Sequence, residues 1–165
     1  PTMTGVTASA SGGIESYGVR NSESSPTMTD VSATASGGAS SLGVFNYRCS
    51  PTMTSVIASA SGATESNYGV MNSSSSPTIQ NSAISGSGGT NNYGIFNLAS
   101  GGTYTVTVNN CQITGSTNTI RNDTEFTTLV GASLLDGGPV SVDGGTVTCA
   151  GVYDESYTFY SSTCP

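Results

Sequence analysis

Histidine is absent from the 165 residues, so neither a Ser-His nucleophile nor a His-ligated metal site can be assembled. Positive charge is confined to Arg20, Arg48 and Arg121, and the ten carboxylates are scattered along the chain. Glycoside hydrolysis needs two carboxyl groups flanking one bond. Such a pair would have to come from neighbouring repeats here, because only Asp154 and Glu155 adjoin, and adjacent strand residues point to opposite faces. What recurs is polar and uncharged. Thr-x-Thr stands at Thr2 and Thr4, Thr27 and Thr29, and Thr52 and Thr54, continued by Thr78 and Thr107. An asparagine returns at Asn21, Asn46, Asn72, Asn97 and Asn122. No catalytic, cofactor-binding or metal-ligating residue is assigned, and no cofactor is expected.

The elements that carry these residues follow from an internal repeat. Pro26–Ser50, PTMTDVSATASGGASSLGVFNYRCS, is preceded and followed by close copies, and the copies begin at residues 1, 26, 51, 77 and 106. Steps of 25, 25, 26 and 29 residues without helical patterning are the mark of a stacked solenoid. β-Branched residues, serines and glycines dominate, and no segment places apolar residues at helical spacing. Residues 1–122 are therefore expected to form the regular coil, and 123–165 an irregular last turn and a C-terminal cap.

Each copy reads as three short strands. Met3 points inward between two outward threonines, and Val6, Ala8 and Ala10 form the next inward set. The alternation breaks between Met3 and Val6, where Gly5, Asp30, Ser55, Asn81 and Asn110 supply residue types that accept a left-handed bend. A third strand runs through Tyr17–Asn21, and a serine-rich corner leads to the next proline. Equivalent strands pair one turn along, ~4.8 Å away, so equivalent side chains stack into ladders. The recurring asparagine is expected to be such an inward ladder, each amide bonding its neighbour. Asn72-Ser73-Ser74 and Asn122-Asp123-Thr124 match the glycosylation pattern, but buried ladder residues would be inaccessible.

The SPTMT…ASASGG…YGV.N unit resembles the repeat of bacterial secreted or surface right-handed parallel β-helix proteins of the pectin-lyase-like group. The tail GGTVTCAGVYDESYTFYSSTCP is similar to the closing segment of such tandem-repeat proteins. The likeness spans nearly the whole chain. It implies an all-β, right-handed parallel β-helix of five to six turns and an extracellular setting, and little about chemistry. β-Helix glycan lyases combine a basic catalytic residue with an acidic calcium-binding cluster. Here Arg20 and Arg121 share a repeat position four turns apart, too far to act on one bond. The Thr-x-Thr array also resembles the ice-binding face of β-solenoid antifreeze proteins. Its plainer reading is outward strand propensity, with stacked hydroxyls bonding one another.

Cysteine placement adds detail. Cys149 and Cys164 enclose a short C-terminal loop and are read as a disulfide closing the last turn, the alternative being two free thiols in a reducing compartment. Cys111 aligns with Val6, Val31, Val56 and Ser82, an inward position, and is expected to be buried. Cys49 falls in the second serine corner, which is read as outward. It lies three turns from Cys111, ~14 Å by strand spacing, beyond the reach of a disulfide. A surface thiol, or one bonded to another chain, is therefore expected there.

Net charge is −7, which disfavours nucleic acid as a partner. No apolar run is long enough to span a bilayer as a helix. The chain starts in phase with the repeat and without a visible signal peptide, as a processed chain or a piece of a longer one would. The functional expectation is a secreted, non-enzymatic structural or adhesive solenoid, one form of which is the subunit of a head-to-tail fibre. In it Tyr153, Tyr157, Phe159 and Tyr160 would cover the next subunit. The alternative is an ice- or glycan-binding protein using the threonine face, and a polysaccharide-lyase-like enzyme comes third.

Overall fold

The computed structural model describes all 165 residues, Pro1–Pro165. It contains strands and turns only, wound into a parallel β-solenoid of five regular turns, an irregular sixth and a closing segment. The first turn is β1 (Thr2–Thr4), β2 (Thr7–Ser11) and β3 (Glu15–Ser22), and the second β4 (Thr27–Thr29), β5 (Ser32–Ser36) and β6 (Ser40–Tyr47). The third is β7 (Thr52–Thr54), β8 (Ile57–Ser61) and β9 (Ser66–Ser73), and the fourth β10 (Thr78–Gln80), β11 (Ala83–Ser87) and β12 (Asn91–Leu98). The fifth is β13 (Tyr104–Asn109), β14 (Gln112–Gly115) and β15 (Asn118–Asp123). The sixth is β16 (Phe126–Gly131), β17 (Leu134–Gly137) and β18 (Ser141–Asp143), followed by β19 (Thr146–Ala150), β20 (Val152–Asp154) and β21 (Phe159–Tyr160).

From β1 to β20 every third strand joins the same sheet. The first sheet runs β1-β4-β7-β10-β13-β16-β19, the second β2-β5-β8-β11-β14-β17-β20-β21, and the third β18-β15-β12-β9-β6-β3. All pairings are parallel except β20 with β21. Register places each repeat position on its equivalent, for example Met3 on Met28 and Asn21 on Asn46.

The turns explain why the chain can coil this tightly. The expected bend between the first two strands has positive φ in every copy: Gly5 62°, Asp30 52°, Ser55 54°, Asn81 51° and Asn110 52°. Asparagine, aspartate and glycine tolerate that conformation best and fill four of the five copies, with serine in the third. A second left-handed corner, at Glu23, Arg48 and Ser74, follows the third strand. The core is a column of Met28, Met53 and Ile79, Val31 and Val56, and Val44, Val70, Ile95 and Ile120, all essentially solvent-free. The second and third sheets approach so closely that a Cβ added at Gly43 would lie 2.6 Å from both the Gly69 carbonyl oxygen and the Ser59 amide nitrogen. Glycine is the residue that fits there.

Candidate functional site

The five recurring asparagines lie inside the coil at the end of the third sheet. Nδ2 of Asn21, Asn46, Asn72 and Asn97 each donates to Oδ1 of the next, at 2.9, 2.9, 2.7 and 2.6 Å. Asn122 ends the series by donating to the Thr146 carbonyl at 2.7 Å. Asn21 is 6% exposed and the others 0%, so the row satisfies buried polar groups rather than facing a ligand. The same burial removes Asn72 and Asn122 from any glycosylating enzyme. A second interior pair, Asn67 donating to Asn92 at 3.0 Å, lies at the start of the same strands.

The threonines form the outer face of the first sheet. Thr2, Thr27, Thr52, Thr78 and Thr107 are in register as one file, and Thr4, Thr29 and Thr54 as a second that passes to Gln80 and Asn109. Beyond them the files reach Leu129 and Gly131, then Thr148 and Ala150, and these small residues leave a shallow apolar dent of about 300 Å³ beside Leu129. The stacked hydroxyls were expected to bond one another, but no hydrogen bond links them. Equivalent oxygens in one rotamer sit a turn apart, ~4.8 Å, well beyond hydrogen-bond range. Their bonding capacity is therefore left to solvent or ligand. A third file, Thr105, Thr127 and Thr146, escaped the sequence reading because β13, β16 and β19 are longer than the earlier strands of their sheet. In it Thr146 donates to Thr127 at 3.2 Å.

The serine corner holds one correction. Cys49 points inward, not outward, and is 6% exposed. The corner turns at Arg48, so the following residue faces the core, as Ser75, 0% exposed, does one turn along. The Cys49 amide donates to Ser75 Oγ at 3.2 Å, and the thiol sits 3.9 Å from the Asn21 carbonyl oxygen. Burial raises its pKa, as it does for Cys111, which is 5% exposed. Both thiols are free.

The corners of successive turns line a trough of about 590 Å³ bounded by Ser25, Arg48, Ser50, Ser74, Ser76, Ser100, Thr103 and Tyr104, with the largely covered Cys49 at its floor. Its wall exists because the step from the fourth to the fifth copy is longer, and the extra residues lift Gly101 and Gly102 out of the coil. Tyr104 donates to the Gly101 carbonyl at 2.7 Å, and Glu125 Oε2 accepts from the Gly101 amide at 3.0 Å, which pins that loop. Arg48 lies 5.0 Å from the Tyr47 ring centroid and 3.9 Å from Glu23, both charges being largely exposed.

The outer face of the third sheet carries an aromatic layer. Tyr68 stacks on Tyr93 at 5.3 Å, and Phe96 leans against both. Arg20 covers Tyr17 and Phe45, while Arg121 covers Phe96, four turns away. Tyr17 donates to Glu15, and burial followed by that contact pushes its pKa up to about 12. The two arginines therefore serve this layer and stay apart. Arg121 also faces Asp143 at 3.9 Å, and burial raises the pKa of neighbouring Asp123 despite the Arg121 charge.

At the far end Cys149 and Cys164 are joined in a disulfide. Asp154 organises the closing loop: Oδ1 accepts from the Ser156 and Thr158 amides, each at 2.9 Å, and Oδ2 from the Tyr160 hydroxyl at 3.0 Å. The Thr158 amide bond leads in lowering its pKa, and the Asp154 contact leads in raising that of Tyr160. Tyr153, Tyr157 and Phe159 remain 40%, 75% and 56% exposed, with Tyr153 and Phe159 in contact at 5.3 Å, while Tyr160 is half-buried against the core. Asp154 and Glu155 are not brought to any shared cleft. No group of three or more His, Cys, Asp or Glu residues is arranged to hold a metal ion. No protein-family model, curated protein or solved structure matches the chain.

Proposed function

We propose that this chain is a non-enzymatic extracellular solenoid with structural and adhesive roles, of the secreted or surface kind found among bacterial pectin-lyase-like β-helix proteins. The observation that carries the reading is the outer face of the first sheet. Threonine hydroxyls recur there through five successive turns in one file and three in the other, unbonded to the protein. A multivalent array of weak donors and acceptors suits contact with an extended surface, where many small contacts add without a pocket. The Cys149–Cys164 bond agrees with an oxidising compartment. Self-association belongs to the same reading, through the exposed aromatic cluster Tyr153, Tyr157 and Phe159 on the cap.

The free hydroxyls also favour a second reading, binding of ice or a crystalline glycan by the same face. One set of measurements separates the two. Co-sedimentation with bacterial cells and with insoluble polysaccharide is expected to retain the protein, and Thr29→Lys with Thr54→Lys to weaken retention at least tenfold without changing the far-ultraviolet circular dichroism. Thermal hysteresis abolished by that pair of substitutions would transfer the face to ice. Failure to sediment with any surface, together with a monomer at all concentrations, would overturn the adhesive and assembly roles. Release of new sugar ends from the polysaccharide would overturn the non-enzymatic one.

A further inference from the structure

We infer that the trough along the serine corners is a binding site for a short neutral oligosaccharide, separate from the threonine face. The inference rests on the adhesive reading only in naming a glycan as the kind of surface met. Three features of the trough carry it.

The first is its supply of hydrogen-bond donors. Ser25 Oγ accepts from the Ser50 amide at 2.8 Å, Ser76 Oγ from the Thr105 amide at 3.1 Å, and Ser74 Oγ from the Ser100 amide at 3.4 Å. In each case the oxygen is engaged by backbone, and the hydroxyl proton has no partner in the protein. Ser75, by contrast, donates to the Ser73 carbonyl at 3.0 Å and is buried. The third corner therefore commits Ser75 to its own backbone and turns Ser74 and Ser76 toward the trough. Ser50, Ser100 and Thr103 add exposed hydroxyls with no partner.

The second feature is an aromatic wall. Tyr104 packs on Phe126 of the next turn at 5.2 Å between centroids, so that one side of its ring is covered. It also lines the trough, where the lifted Gly101–Gly102 loop holds its hydroxyl. Gly102 lies against the hydroxyl end of the ring, and the part left bare offers apolar surface to the C–H groups of a sugar without losing rotamer freedom on binding.

The third is charge and length. Arg48 presents a planar fork that suits a pair of adjacent hydroxyls, and its charge is already answered by Glu23 in a protein of net charge −7. That balance selects a neutral ligand over an acidic one. From the Ser25 corner to the Ser100 corner the trough spans three turns, ~14 Å, about the length of two to three pyranose rings. The axial direction of the trough orients such a chain along the shaft.

The test is titration of the ¹⁵N-labelled protein with the neutral trisaccharides cellotriose, maltotriose and triacetylchitotriose, and with the acidic trigalacturonic acid. At least one neutral trisaccharide is expected to bind with a roughly millimolar or lower Kd, shifting amides of residues 48–50, 74–76 and 100–104 together. Arg48→Ala, at an exposed site, and Ser50→Tyr, which fills the trough from an exposed position, are each expected to weaken binding at least tenfold with the thermal midpoint unchanged. Thr29→Lys with Thr54→Lys is expected to leave it intact. No shift with any neutral sugar at about 20 mM would overturn the site. So would affinity untouched by Arg48→Ala and Ser50→Tyr, or tighter binding of the acidic sugar. Retention on insoluble surfaces through the threonine face would survive that failure, which keeps the two readings distinguishable.

Discussion

Replacing Asn72 by alanine tests whether the interior asparagine row holds the coil together. Asn72 accepts from Asn46 at 2.9 Å and donates to Asn97 at 2.7 Å, and all three are 0% exposed. Its removal orphans one donor on Asn46 and one acceptor on Asn97 where water does not reach. Each unsatisfied buried group costs about 1–3 kcal/mol, so the variant should lose about 4 kcal/mol. At this chain length that corresponds to a fall of roughly 10 °C in Tm. Asn21→Ala is the internal control. Asn21 makes one ladder bond, to Asn46, and is slightly exposed, so about half the loss is expected.

Asn72→Asp sharpens the test because it keeps the shape and removes the donor. A carboxylate oxygen would then face Asn97 Oδ1 with no proton between them. Burial and that contact raise the carboxyl pKa above its ordinary value of about 4. A raised folded pKa means that the folded state holds the proton more tightly than the unfolded one. The variant should therefore regain stability relative to the parent as pH falls through the raised value, with the gain complete below about 4. Urea unfolding at several pH values reads both effects. A loss for Asn72→Ala no larger than for Asn21→Ala, or a pH-independent gap between Asn72→Asp and the parent, would refute the reasoning.

Two further outcomes follow from the thiols and the cap. Iodoacetamide should modify neither Cys49 nor Cys111 in the native protein at mildly alkaline pH, and both after unfolding under non-reducing conditions, because burial hinders access and raises both pKa values. Mass spectrometry showing rapid native labelling at Cys49 would contradict its inward placement. The lowered pKa of Asp154 contributes cap stability above the ordinary carboxyl range and loses it as pH falls through the folded value. Amide resonances of Ser156 and Thr158 should therefore titrate together below about pH 4, and Asp154→Asn should abolish that step. Titration above the ordinary carboxyl value would refute it.

Much of this architecture is written in the sequence because a solenoid repeats its own evidence. The period, the inward ladders from Met3 to Ile79 and from Val19 to Ile120, and the bends at Gly5, Asp30, Ser55, Asn81 and Asn110 are local patterns seen several times over. The short Cys149–Cys164 loop was legible for the same reason of proximity. The serine corner was not. Alternation shows direction only where apolar and polar residues differ, and Glu23-Ser24-Ser25 and Ser74-Ser75-Ser76 offer no such contrast. The left-handed turn at Arg48, which aims Cys49 inward, therefore left no trace in composition. Residue type did not decide which threonine hydroxyls bond: the Thr2 and Thr4 files are left unbonded, whereas Thr146 reaches Thr127 at the same one-turn spacing, so side-chain orientation makes the difference. The trough needed the tertiary structure most of all. Its lining comes from four successive corners, and its wall from a few extra residues in one of them, so it exists only once the turns are stacked.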